Sequence, residues 1–178
     1  ACNTATSVAI KHLREVFPSL IIIGTEPGIK PAINNTKTKN IGILATASTL
    51  KGEKYQLLAN ELTTKSEVTL HEQACIGLVE QIENGEINSL KTYSMLETWL
   101  KPMLHNKVDT IVLGCTHYPL VKKTILDIVG EDVLLIDTGD AIAKRVVTLS
   151  QDLQNNNKDE LNIEILYTGK INSDMVKI

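Results

Sequence analysis

Asp109-Thr110-Ile111-Val112-Leu113-Gly114-Cys115-Thr116-His117-Tyr118-Pro119 holds the chain's clearest structural signal. Thr110 to Leu113 is a short apolar run rich in β-branched residues, which reads as a strand buried on both faces. Gly114 ends it. Pro119 suits the first turn of a following helix, where its missing N–H costs nothing. The stretch therefore reads strand, tight turn, helix, and the same alternation recurs on either side. Ile41 to Ala45 and Val133 to Ile136 read as strands, and Val68 to Leu70 as a brief one. Helical spacing is expected over Glu53 to Leu62, with Tyr55, Leu58, Ala59 and Leu62 on one face. It is also expected over Cys75 to Glu83, over Ser89 to Leu104, from Pro119 to about Val129, and from the Asp137-Thr138-Gly139-Asp140 cap to about Leu153. Alternating strands and helices joined by short loops predict an α/β fold with a mainly parallel sheet flanked by helices.

The flanks extend this reading. Ala5, Val8, Ala9, Leu13 and Val16 or Phe17 recur at helical spacing from Thr4 to Phe17. Pro18 should end that helix, and Leu20 to Gly24 reads as a buried strand. Thr25 to Lys39 holds Pro27, Gly28, Pro31, Asn34 and Asn35, and is expected to be an irregular linker. Thr46 to Leu50 reads as a small-residue turn. Gln154 to Asp159 reads as a polar loop and Ile163 to Tyr167 as a last strand.

Composition limits the function classes. The 178 residues carry 18 basic and 21 acidic side chains, a net charge of −3, which argues against a general nucleic-acid scaffold. The longest apolar run, Leu20 to Ile23, is too short to span a bilayer, and no signal peptide opens the chain, so a cytoplasmic location is expected. Three cysteines cannot all pair within one chain and read as reduced thiols. Neither C-x-x-C nor a zinc-type Cys/His spacing occurs, so no metal and no cofactor are expected.

Ligands of open α/β sheets gather at the carboxyl ends of strands, where Cys115 falls. A helix N-terminus favours anions, so the Cys115 thiol is expected to be thiolate-prone and reachable by solvent, with His117 as an acid–base partner. Ala1-Cys2-Asn3-Thr4 repeats the design: a small residue, then cysteine, then two polar residues at the opening of a helix. Cys75, read as lying inside an apolar helix, is expected to be an inert buried thiol. Two opposed thiols suit either disulfide exchange or two-base proton transfer, in which one sulfur takes a proton from a carbon and the other returns one to the opposite face.

Ala1-Cys2-Asn3-Thr4-Ala5, Glu26 to Ala32, Leu44-Ala45-Thr46, Ala74-Cys75 followed by Leu78-Val79-Glu80, and Gly114-Cys115-Thr116-His117-Tyr118-Pro119-Leu120 occur in this order in the glutamate racemases, which the chain resembles from residue 1 to about 150. The resemblance implies two similar α/β lobes with substrate between them. It implies cofactor-independent interconversion of L- and D-glutamate for peptidoglycan. Carried over residue by residue, it implies Cys2 and Cys115 as the catalytic thiols, assisted by His117 and Glu80, with Asn3, Thr4, Thr46 and Thr116 binding substrate. Its lobes would divide as 1–27, part of the first, 28–138, the second, and 139–178, a return to the first. The partner implied is small-molecule glutamate, with a homodimer as an open option; no nucleic acid and no membrane are expected.

Ser48 stands near a turn where the family usually has glycine, and Ile76 where it has proline. The family's opening strand, with an Asp-Ser pair that assists the first thiol, has no counterpart here. The first lobe is therefore expected to be incomplete, with Val8, Leu13 and Ile21 to Ile23 exposed and the chain alone nearly inactive. Two other readings stay open: a non-catalytic lobe that binds a ligand or partner, and an aspartate racemase-like isomerase.

Overall fold

The computed structural model describes residues 2–151 together with Glu164 and Leu166. Its centre is a parallel sheet of β1 (Asn40–Ala45), β2 (Thr69–Ala74), β3 (Thr110–Leu113) and β4 (Leu134–Ile136), in the order β2-β1-β3-β4. The register sets Ile41 against Leu70 on one side and Thr110 on the other, and Thr110 against Leu134.

The two-residue alternation of a strand sorts the side chains into two cores. Ile41, Ile43 and Ala45 of β1 and Val112 of β3 point to one face, where they meet α2 (Ile29–Asn35) and α4 (Glu53–Ser66) through Ile29, Ala32, Tyr55 and Ala59. Leu44, Ile111 and Leu113 point to the other face. There they pack against α5 (Leu78–Glu83), α6 (Leu90–His105) and α7 (Lys122–Val129), through residues such as Ile82, Leu96, Leu100 and Ile125. Trp99 packs, half-buried, against this second core. The result is the expected α/β class: helices on both faces of an all-parallel sheet.

Several local expectations are corrected. Leu20 to Gly24 forms no strand; Leu20 lies in a bend, Ile21 to Gly24 has no regular structure and no ladder partner among the described residues, and Leu20 and Ile21 are exposed. A β-branched run has strand propensity, but only a neighbouring strand makes it one. The breaker-rich linker contains α2. Pro31 lies in that helix's first turn, where backbone N–H groups lack intrahelical partners in any case. Thr46 to Leu50 is a short helix, α3 (Ala47–Lys51), capped by the Thr46 side chain. Helix α1 (Asn3–Val16) forms, but it buries Asn3, Thr6 and Ile10 rather than the apolar stripe; the exposure expected of Val8, Leu13 and Ile21 is seen, Val8 at 80%, whereas Ile22 and Ile23 are half-buried. Helix α8 is described over Gly139–Ser150; its expected end near Leu153 lies outside the described residues, as does the strand expected at Ile163 to Tyr167 apart from Glu164 and Leu166.

Candidate active site

Chain order reverses in the sheet between β1 and β3: β2 lies on one side of β1, while β3 and β4 lie on the other. A crevice outside the carboxyl ends of two such strands is where open α/β folds bind ligands. Thr46 follows β1 and Cys115 follows β3 after one glycine. Gly114 is required there, since a Cβ would sit 2.8 Å from the Leu44 carbonyl oxygen and 3.1 Å from the Ala45 Cβ.

The Cys2 segment is brought to the same edge. Cys2 is the N-cap of α1, its sulfur accepting the Ala5 N–H at 3.4 Å. Buried Asn3 donates through Nδ2 to the Gly114 carbonyl and accepts the Thr25 hydroxyl on Oδ1, so both ends of its amide are used inside the protein. Thr4 reaches Thr46 at 2.9 Å and Thr49 at 3.0 Å, and Thr46 and Thr49 lie 2.9 Å apart. Three hydroxyls thus form a ring joining the openings of α1 and α3. Thr49, which the sequence reading missed, is nearly sealed from solvent. Its signal was available in the spacing of Thr46 and Thr49, an N-cap and the residue three positions on.

Cys115 differs from expectation. It is buried, 8% exposed. Burial pushes its thiol up from the ordinary value, against the lowering effect of the His117 and Thr116 N–H groups; charge on Cys2 and on Glu83 raises it further. The N–H groups that lower it belong to a turn ahead of a short 3-10 helix (Tyr118–Val121), not to an α-helix start, and desolvation outweighs them. His117 Nδ1 stands 3.7 Å from the Cys115 sulfur, and its Nε2 stands 3.1 Å from Glu83 Oε1. Glu80 was expected to assist, yet among the described residues its side chain makes no hydrogen bond or ion pair; the carboxylate on His117 belongs to Glu83, one helical turn further along α5. Thr116 is exposed beside Cys115. Cys75 lies not in a helix but in the turn after β2, its N–H closing on the Ala45 carbonyl at 2.9 Å. Among the described residues, no group of three or more His, Cys, Asp or Glu side chains gathers to hold a metal ion, and no helix is long and apolar enough to cross a membrane.

Residues 1–146 match the family model described as Asp/Glu/hydantoin racemase. The chain belongs to that family. It is 65% identical over 177 residues to a glutamate racemase of Aliarcobacter butzleri, covering 99% of this chain and 68% of that protein. It is 62% identical over 177 residues to one from a Sulfurovum species, covering 99% and 67%. Among solved structures, the Escherichia coli glutamate racemase in complex with L-glutamate and the activator UDP-MurNAc-Ala superposes with a TM-score of 0.73 at 34% identity, over 84% of this chain and 56% of that one. The racemase chain thus spans about two thirds of the length of these curated relatives and little more than half that of the solved enzyme.

Proposed function

We propose that this racemase-family chain serves the interconversion of L- and D-glutamate by two-base proton transfer, without a cofactor, with Cys2 and Cys115 as the opposed thiols. The observation that carries the reading is the Asn3 bond to the Gly114 carbonyl, which fastens the residue after one thiol to the residue before the other. Charge on Cys2 also reaches the Cys115 thiol. Burial keeps the proton on Cys115, so the resting site offers an acid on that side. Cys2 opposes it, half-exposed at its helix N-terminus. One sulfur removes the α-proton, and the other returns a proton to the opposite face.

In this reading His117 hydrogen-bonds the Cys115 sulfur and is oriented by Glu83. Thr4, Thr46 and Thr116 offer hydroxyls to the substrate carboxylates, while the amide of Asn3 fixes the approach of α1. The lobe division at 27/28 and 138/139 suits the single sheet of residues 40–136. The product would supply D-glutamate for peptidoglycan in the cytoplasm.

Incubation of the protein with L-glutamate in deuterated water tests the proposal. In a full-length context, wild type should incorporate deuterium at the α-carbon and form D-glutamate, and Cys115→Ala should do neither; the 178-residue chain alone should be nearly inactive. Full turnover by Cys115→Ala would overturn the assignment, and turnover of aspartate in place of glutamate would move the substrate.

A further inference from the structure

Gly24 and Thr25 have no regular structure of their own, yet they lie tightly against α1. A Cβ at Gly24 would overlap Ile10 Cδ1 and stand 2.8 Å from Thr6 Cγ2, so glycine is what lets the segment come so close to the helix. The approach brings the Thr25 N–H to Thr6 Oγ1 at 2.9 Å, and the Thr25 hydroxyl donates to Asn3 Oδ1. Asn3 and Thr6 lie one turn apart on one face of α1. Thr25, 22 residues beyond Asn3 in the chain, therefore grips that face at two points. All three side chains are buried, Thr25 at 3% exposed.

The sense of these bonds is fixed by the chemistry of the groups. The Gly114 carbonyl only accepts, so it takes the Nδ2 end of the Asn3 amide, and the Oδ1 end faces Thr25. The Thr25 hydroxyl must therefore donate. The last torsion of an asparagine side chain lies in a broad well, and a bond at one end alone would leave the amide free to turn. Held at both ends, it keeps one plane. Packing does not account for the hydroxyl. Valine has nearly the same outline as threonine, and a buried hydroxyl is costly unless it is hydrogen-bonded.

The position of this grip gives it a consequence for the thiols. Asn3 follows Cys2, and Gly114 precedes Cys115. The chain of bonds from Thr25 through the Asn3 amide to the Gly114 carbonyl runs through buried protein between the two cysteine segments. We propose that Thr25 is a positioning residue of the thiol pair, whose hydroxyl locks the Asn3 amide on the Gly114 carbonyl and so fixes the spacing of Cys2 and Cys115. The effect on rate rests on the racemase reading; the lock itself does not.

The test compares wild type, Thr25→Val, Thr25→Ser, Asn3→Ala and the Thr25→Val/Asn3→Ala double variant in a full-length context. Two readouts are taken: solvent exchange of the Asn3 Nδ2 protons by NMR, and glutamate racemisation. Thr25→Val should quicken the exchange and lower kcat about tenfold with KM nearly unchanged, since a displacement well under 1 Å costs less than the roughly hundredfold of a full ångström. Thr25→Ser keeps the hydroxyl and should restore both readouts to near wild type. In the Asn3→Ala background, Thr25→Val should change kcat no further. Unchanged exchange in Thr25→Val, a loss in Thr25→Ser equal to that in Thr25→Val, or effects at positions 3 and 25 that simply multiply would overturn the lock. Should Thr25→Val fail to fold, Thr25→Ala also lacks the hydroxyl and carries the same comparison with the same outcomes. A wild type that racemises nothing would defeat the functional reading, while the Asn3 exchange would still decide the lock.

Discussion

Cys2 and Cys115 sit in nearly the same local sequence, yet the protein holds them in opposite ways. Cys115 follows a strand buried along its whole length and lies in a core of sixteen buried residues that includes Tyr118. Cys2 caps a helix that buries only Asn3, Thr6 and Ile10, and it opens on a groove of roughly 200 Å³ lined by Ala5, Ile10, Leu13, Ile22 and Ile23. Sequence pattern placed both sulfurs at helix starts. Long-range packing alone buried one site and left the other half-open. A short motif specifies a direction for a side chain, whereas the strands around it specify how firmly the direction is kept.

The comparison can be broken most severely at the sulfurs. Replacing either cysteine by alanine should cost about 10²–10⁴-fold in racemisation, the usual weight of a proton-transfer group. Glutamate turnover assays on the two variants decide this, and a large loss at only one would mean that the second thiol is not a partner. Next in size is packing. Leu100→Ala, inside the Cys115 core, should lower unfolding free energy by about 2–5 kcal/mol, while Val8→Ala on the exposed face of α1 should stay within about 0.5 kcal/mol of wild type. Urea unfolding of both measures the asymmetry directly, and equal losses would abolish it.

The tether between the two stations comes third. Asn3→Ala leaves the Gly114 carbonyl and the Thr25 hydroxyl without their partner, which should cost about 1–3 kcal/mol and loosen α1 against the sheet. Hydrogen exchange should then quicken in α1 while β3 stays protected. The smallest effect concerns pH. Burial works against the charge of Asp109, but hydrogen bonds from Thr36, the Thr38 and Lys37 amides and Thr110 outweigh it and hold the carboxyl below its usual range. A carboxylate depressed in the folded state stabilises above its unfolded pKa, about 3.9, and that stability is lost as pH falls through the folded value. Thermal unfolding midpoints taken downward from pH 5 should therefore decline more steeply in wild type than in Asp109→Asn.

Much of the sheet was legible because its strands declare themselves locally. Ile41 to Ala45 and Thr110 to Leu113 are apolar on both faces, a pattern that only a doubly covered strand needs. Ile21 to Ile23 carries similar residues without forming a strand, since the missing ingredient, a partner, lies outside the local sequence. Helix α1 was placed correctly and its buried face misjudged. The apolar stripe was counted, but Asn3 and Thr6 are buried by hydrogen bonds to Gly114 and Thr25 that no periodicity reveals. At the candidate site, the placement of Cys2 at a helix start and of Cys115 and His117 after a strand was legible. Glu83 was not, because Glu80 and Glu83 lie one turn apart on the same helix and only the packing of α5 shows which one meets the imidazole. The fall of Cys115 toward a thiolate was expected from the helix start and reversed by burial, a quantity set by the surrounding core.

The ring of Thr4, Thr46 and Thr49 has a property that its distances do not display. Three hydroxyls hold three protons for three bonds, so the circuit can run in either sense without moving a heavy atom. A visiting carboxylate can accept a hydrogen bond from one of those hydroxyls after the rotation of a single O–H. The ring then becomes an open chain with two of its three bonds intact. The joint between α1 and α3 is in this sense a reversible clasp. It can lend one donor to an anion and recover it on release, at the cost of one hydrogen bond rather than the whole connection.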